Sequence, residues 1–356
     1  MVARLRKTCT SIFRTKFQTV QKSTNMPDLS IKYLGLDLKS PVIAGSSSLT
    51  NSIDHLKAIE KAGAGAVVLK SIFEEEIYLE YAHEFDKLGP MDNNLEFLDY
   101  YDLEIKKENL KHYLQLITEA KQQLTIPVIA SINCISSQEW GFFAKKIEAA
   151  GADALELNMF LSPSDLSQTS QDNESTYFDI ITRVTQKIGI PVSVKISPYF
   201  SNLGGMIRDI SFSGVKGIVL FNRFYSPDID LQKESIHGAN VLSHDSDYLL
   251  PLRWIAMMSN RVNCDIASSS GVHSWETAVK MILAGSNAVQ VASALYEKGF
   301  GFIEEINNQL ADWMKAHNYE TIDAFRGKLS QENSVNPAEF ERVQFMRNFG
   351  EYKSGL

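Results

Sequence analysis

The sequence predicts an α/β protein, a closed (β/α)8 (TIM) barrel, on three observations. Eight short apolar runs, mostly β-branched, recur from residue 41 onward, as strands buried on both faces of a parallel sheet do. Amphipathic stretches of helical period lie between them. No GxGxxG follows the first run, and the eighth unit ends where a barrel closes. That sets the barrel above its runner-up, an open doubly wound sheet.

The elements follow in order. Before the first run, 30–38 (SIKYLGLDL) alternates around Gly35 and reads as an N-terminal hairpin capping the bottom of the barrel. Strands are expected at 41–46, 65–70, 127–132, 154–159, 191–196, 217–222, 264–269 and 288–292, several opening with Pro or Gly. Helical patterns cover 52–62, 138–150, 174–188 and 274–284. In 138–150, Phe142, Phe143, Ile147 and Ala150 are expected on one buried face, with Lys145, Lys146 and Glu148 largely off it. Gly151 and Gly285 then supply left-handed stops. Two connections, 72–106 and 224–250, are oversized. They follow the second and sixth runs, so in a barrel they rise over the active face as lids.

Composition narrows the function classes. With 44% hydrophobic and 22% charged residues, the chain is neither disordered, collagen-like nor a disulfide scaffold. The absence of about 18 uninterrupted apolar residues argues against a membrane span. A net charge of −8 argues against a nucleic-acid partner held by phosphate contacts. Cys9, Cys134 and Cys264 are far apart and make no CxxC, which disfavours a disulfide framework, a cysteine zinc site and a self-contained Fe–S cluster. The seven histidines form no HxH or HExxH, so no metal site is expected. A reduced, cytoplasmic chain is the expectation. Residues 1–27 read as a basic tail or leader, with Arg4, Arg6, Lys7, Arg14, Lys16 and Lys22 and no acid before Asp28. A transit peptide, a membrane-surface helix and a leader before Met26 compete for it. The barrel is expected over 28–330, followed by a helical C-terminal tail at 331–356.

In a barrel, function sits at the C-terminal ends of the strands. Those ends read Ser46-Ser47-Ser48, Lys70-Ser71, Asn133-Cys134, Asn158, Lys195, Asn222, Ser268-Ser269-Ser270-Gly271 and Ala292-Ser293. A purely structural rim has no need of two lysines and three amides. Lys195 stands out because it lies inside an apolar strand, VSVKISPYF. A snorkelling stem, a Schiff-base nucleophile and a fixed cation under an anionic cofactor ring are its three readings. The small-residue turns 268–271 and 292–293 fit a phosphate cradle after the seventh and eighth strands. Tyr78, Tyr81, Tyr100 and Tyr101 flank the first lid and are expected in the core.

These segments carry a resemblance. YLGLDLKSPVIAGSSSL (33–49), VVLKS (67–71), LELN (155–158), SVKISPYF (193–200), LFNR (220–223), SSSGVHSWETAVKMILAGSNAVQVASALYEKG (268–299) and IDAFRGKLS (322–330) together resemble the dihydroorotate dehydrogenases, with the last two most like the class 1 branch. The resemblance implies an FMN-containing barrel that oxidises dihydroorotate to orotate in pyrimidine biosynthesis. It implies that Ser46 and Ser47 line the flavin and that Lys70 touches both flavin and the substrate carboxylate. Asn133 and Asn158 would bind flavin, with Asn158 and Asn222 on the substrate. Lys195 would neutralise the N1/C2 side of the reduced ring, and Ser270, Gly271, Ala292 and Ser293 would hold the FMN phosphate. Catalysis would then use Ser162 as base with Lys70 and Lys195. A small-molecule substrate, an unidentified electron acceptor and a homodimer are the expected partners.

The chain departs from the family pattern in places. Around the base it reads Asn158-Met159-Phe160-Leu161-Ser162-Pro163-Ser164, so Ser162-Pro163 fits with a one-residue insertion and Ser164 replaces an amide. Asn93 and Asn94 are the nearest counterparts of the family's lid amides, and Arg223 stands where a small hydroxyl residue is usual. Three alternatives stay open. They are a diverged paralogue acting on another small cyclic substrate, a Schiff-base aldolase using Lys195, and a flavin-binding protein without turnover.

Overall fold

The computed structural model describes residues 26–73, 95–133, 139–161, 164–223, 226–239 and 241–341. The chain opens with an antiparallel hairpin, β1 (Ile31–Tyr33) and β2 (Leu36–Leu38), turned through Leu34 and Gly35 at positive φ. Barrel units follow: β3 (Val42–Ala44), α1 (Ile53–Lys61), β4 (Ala66–Val68), a short β5 (Ile72–Phe73), α2 (Leu95–Gln123), β6 (Val128–Asn133) and α3 (Glu139–Ala149). Next come β7 (Ala154–Asn158), α4 (Ser170–Thr185), β8 (Val192–Ile196), α5 (Leu203–Ser211) and β9 (Gly217–Leu220). After an excursion through the hairpin β10 (Pro227–Asp230) and β11 (Ser235–Gly238), the barrel ends with α6 (Leu249–Met258), β12 (Asp265–Ser268), α7 (Trp275–Ala284) and β13 (Ala288–Val291). Two helices close the account, α8 (Ser293–Lys298) and α9 (Gly301–Ala316).

The eight barrel strands run in the cyclic order β3-β4-β6-β7-β8-β9-β12-β13, all pairings parallel. Closure is the pairing of Val289 with Val42, eighth strand to first. It decides the fold for the barrel over the open sheet. Every residue of β3, β4, β8, β9 and β13 is buried; β3, β4 and β9 accordingly read as unbroken apolar runs, while β8 and β13 carry polar residues into the barrel interior.

The hairpin lies where the sequence puts it. Leu34 N donates to Asp265 Oδ2 at 2.7 Å at the start of β12. A side chain on Gly217, which opens β9, would run into Leu34. Glycine there lets the hairpin seat directly against the strand ends. Helix α4 begins at Ser170, four residues before the expected 174, because Thr169 and Asp172 make a reciprocal capping box that apolar periodicity does not register. Gly151 and Gly285 take the positive φ values expected of helix stops. On α7, Met281 and Ile282 are fully buried, and truncating either to alanine costs about 2–5 kcal/mol.

Further expectations change, among them the helical C-terminal tail. The buried stripe of α3 is Trp140, Phe143, Ala144 and Ile147, and Phe142 is 51% exposed, because a stripe at i, i+3, i+4 and i+7 counted from Trp140 leaves Phe142 off the face. The first long connection is not loop throughout, since its residues 95–106 belong to α2. Its residues 74–94 lie outside the described chain, as do Cys9, Cys134, Tyr78, Tyr81, Asn93, Asn94 and Ser162. Of the C-terminal tail, 331–341 form turns and one 3-10 turn, Pro337–Phe340, and the remainder lies outside the described residues. Among the described residues no helix is long and apolar enough to cross a membrane.

Candidate active site

Parallel strands of a closed barrel deliver their C-terminal ends to one mouth, and the polar residues named at those ends meet there. Ser71, just past β4, is the hub. Its backbone N–H donates to Ser46 Oγ at 2.9 Å, and its hydroxyl lies 3.1 Å from that of Ser46 and 2.7 Å from that of Ser131. Asn158 Nδ2 reaches Ser71 Oγ at 3.4 Å, and Asn222 Nδ2 donates to Asn158 Oδ1 at 2.6 Å. One chain of hydrogen bonds therefore joins the ends of β3, β4, β7 and β9. Asn133 is buried at the end of β6. Lys70 is half-buried and its backbone N–H donates to Thr50 O at 3.3 Å. Ser47 opens the turn after β3, exchanging hydrogen bonds with Thr50. A cavity of about 550 Å³ opens beside Lys70 and Ser71 toward Asn51, His112 and Tyr113, on the side of α1 and α2 rather than over the barrel axis.

Lys195 lies in the barrel interior, only 8% exposed, and its Nζ donates to Gln290 Oε1 at 3.0 Å. Burial pulls the ammonium's pKa down and the carboxylate of Glu156 pushes it back up. The alternation of β8 turns Ser193 and Lys195 inward, while the apolar Val192, Val194 and Ile196 on the other face pack outward.

The turns after β12 and β13 are adjacent because those strands pair. Ser270 and Gly271 both adopt positive φ, 76° and 73°. A non-glycine residue in that region is sparsely populated, so the backbone of Ser270 is held in a strained conformation at this turn. Gly271 also admits the segment 245–248, since a Cβ there would stand 2.1 Å from Tyr248 N. Ser293 Oγ accepts the N–H of Ser243 at 3.0 Å, and Ser243 Oγ lies 2.9 Å from His273 Nε2. His273 is buried, with Nδ1 3.2 Å from Glu297 Oε2. The long connection after β9 is thus fastened to both small-residue turns. Arg223 pairs with Asp247 and donates to Val241 O, tying the end of β9 to that same connection.

The structure brings together Ser46, Asn158 and Asn222 through Ser71, and sets Ser270 and Gly271 beside Ala292 and Ser293. Gln290 and Glu156 inside the barrel and His273 at the turns carry no site role in the sequence reading, and Ser71, named there among the strand ends, has its part as hub only in the structure. The signal for Gln290 and Glu156 was the one that singled out Lys195, a polar side chain within an apolar strand. Cys264 is half-buried, and desolvation together with the neighbouring Asp265 carboxylate pushes its thiol up to about 12, away from the thiolate a nucleophile needs.

A closed barrel with serines, amides and a buried lysine at its mouth defines a protein that works on a small ligand at the C-terminal face. The family model described as dihydroorotate dehydrogenase matches residues 28–314, and the chain belongs to that family of oxidoreductases. It is 26% identical over 315 residues to the dihydroorotate dehydrogenase B (NAD(+)) catalytic subunit of Thermoplasma volcanium, covering 85% of this chain and 98% of that one. It is 27% identical over 282 residues to a putative dihydroorotate dehydrogenase A (fumarate) of Aeropyrum pernix, covering 77% and 89%. It is 25% identical over 329 residues to the NAD-dependent dihydropyrimidine dehydrogenase subunit PreA of Escherichia coli, covering 88% and 79%. With the family shown, the Schiff-base aldolase reading of Lys195 is set aside.

Proposed function

We propose that this chain is an FMN-dependent oxidoreductase that converts dihydroorotate to orotate. The observation that carries the reading is Lys195, a buried cation at the C-terminal end of an interior strand, where an anionic ring would meet it. The residues present fit FMN. The small-residue turns 270–271 and 292–293, adjacent because β12 and β13 pair, would offer backbone amides to one phosphate, and Gly271 lets its turn pack directly against the backbone of Tyr248, where a Cβ would collide. Ser46, Ser47, Lys70, Asn133 and Asn158 would surround the ring. When bound, FMN supplies the two-electron acceptor that no side chain can provide.

The chain's own residues do the rest. Lys70 holds the substrate carboxylate by charge, while Asn158 and Asn222, already hydrogen-bonded to each other, orient the dihydropyrimidine ring. Ser162 takes the C5 proton, a task that requires bulk water to be kept out beneath 161–176. Lys195 keeps positive charge where negative charge builds up. Anaerobic mixing with dihydroorotate tests the reading, and the flavin absorption should bleach. Intact flavin that does not bleach would move the substrate to another cyclic compound, in keeping with Ser164, Arg223 and the dihydropyrimidine dehydrogenase relative.

Two outcomes follow for the cofactor. Heat-released cofactor should run on chromatography as FMN, because the turns would cradle one phosphate and no dinucleotide fingerprint is present; FAD as the dominant species would overturn the assignment. Gly271→Ala should weaken FMN retention and lower stability by about 1–3 kcal/mol, since φ is +73° and the new methyl group meets the backbone of Tyr248. Urea denaturation and flavin content read both effects, and an alanine variant equal to wild type in each would show that the cradle is elsewhere.

A further inference from the structure

Behind Lys195 stands a buried acid. Gln290, the inward residue of β13, accepts from Lys195 Nζ through Oε1 at 3.0 Å and donates from Nε2 to Glu156 Oε2 at 2.6 Å. Glu156 is the inward residue of β7, two positions below Asn158, and is 1% exposed. Lys195 and Glu156 stand on the paired neighbours β8 and β7, and Gln290 reaches both from β13 across the ring, a juxtaposition that the closed barrel provides.

The order of groups has a consequence. An ionised carboxylate can only accept hydrogen bonds, so it engages the NH₂ end of Gln290 and leaves the amide oxygen facing the ammonium. Were the amide reversed, an N–H donor would face an N–H donor and an oxygen would face an oxygen. Glu156 therefore fixes which end of Gln290 Lys195 meets. It also supplies the opposite charge in an interior where a lone ammonium is costly. Burial acts to discharge Lys195, and Glu156 acts to keep it charged.

We propose that Glu156 and Gln290 are positioning residues for Lys195, the carboxylate balancing the ammonium through an oriented amide so that the lysine faces the ring site as a fixed cation. The proposal rests on the FMN reading. It assigns the barrel interior an electrostatic task in addition to packing.

Two measurements on the full chain test it with isosteric variants. The first is the affinity for sulfite, which adds to a flavin ring and leaves negative charge on its N1–C2 side. Glu156→Gln keeps the size of the side chain and removes its charge. It should weaken sulfite binding about tenfold, the equivalent of one pKa unit, approaching Lys195→Met. The exchange Glu156→Gln with Gln290→Glu puts the carboxylate directly against Lys195 and keeps every donor facing an acceptor, so sulfite affinity should return toward wild type. A merely structural glutamate would show neither the loss at constant shape nor the rescue. The second measurement, urea denaturation, needs no flavin. Glu156→Gln and Lys195→Met should each destabilise, and together they should cost less than the sum, by a factor of about ten in the unfolding equilibrium constant.

Wild-type sulfite affinity in flavin-bound Glu156→Gln overturns the proposal, and so do additive stabilities. If Glu156→Gln alone does not fold, the exchanged variant must fold and bind sulfite, and its failure has the same meaning. A wild-type protein that never holds flavin sinks the FMN reading, and the ring role with it. The denaturation cycle then decides the charge coupling alone.

Discussion

Lys195→Ala is expected to slow reduction of the bound flavin by about 10²–10³-fold, the usual worth of a donor aimed at developing charge in a site closed to water. The expectation comes from position. The ammonium is buried and held at 3.0 Å by Gln290, so it does not have to reorganise when charge appears beside it. Folding should suffer less than catalysis. Loss of the cation leaves Glu156 still hydrogen-bonded to the NH₂ end of Gln290, so the carboxylate keeps a donor. Anaerobic stopped-flow reduction measures the first quantity and urea denaturation the second. Near-normal reduction in a variant that retains flavin would refute the role of Lys195, and equal losses in both would reduce it to a structural residue.

The barrel was legible because its strands are buried on both faces, which leaves unbroken runs such as GAVVLK and GIVLFN with glycine stops between units. Local chemistry also showed at the rim. Serine, lysine and asparagine at strand ends need only the rule that barrel function gathers at the C-terminal mouth. What escaped depends on closure. Lys195 and Gln290 are 95 positions apart in sequence, and Gln290 and Glu156 are 134 apart. No periodicity within one strand can report a partner three strands around a ring. Gln290 in AVQV reads locally as an interruption of an apolar strand and becomes meaningful only opposite Lys195. Ser71 is visible among the strand ends, but its role as hub is not. A serine after a lysine is unremarkable in sequence, and its role as hub comes from the spacing of four strand ends. The start of α4 was missed because a capping box acts through backbone N–H groups rather than through apolar spacing. The face of α3 was misjudged at Phe142, where a large apolar side chain sits outside the buried stripe.

Ser162→Ala should leave FMN bound and its spectrum normal, while anaerobic reduction by dihydroorotate slows about 10²–10⁴-fold, the range for a positioned general base. Ser162 lies outside the described residues, so its role rests on the resemblance of the segment 158–164 and on where that segment starts. Strand β7 delivers Asn158 to the mouth, and the next residue, Met159, still hydrogen-bonds through its N–H to Lys195 O at 3.0 Å. The loop that carries Ser162 therefore departs from the centre of the proposed site. A serine hydroxyl is a poor base in water, so its usefulness depends on an acceptor for its proton and on exclusion of solvent. Orotate binding, read as a flavin spectral shift, should weaken much less than reduction slows, because Lys70, Asn158 and Asn222 are untouched. Unchanged reduction in the variant would mean that the inserted residue places another group at C5, with Cys134 the next to replace. Absence of reduction in the wild type, with flavin intact, would instead point to Ser164 and Arg223. Arg223 is drawn to Asp247 and to the carbonyl of Val241, so the end of β9 presents Asn222 from a rim braced by the long connection. In that outcome the barrel and the flavin reading stand, and the substrate is a different cyclic compound that this braced rim admits.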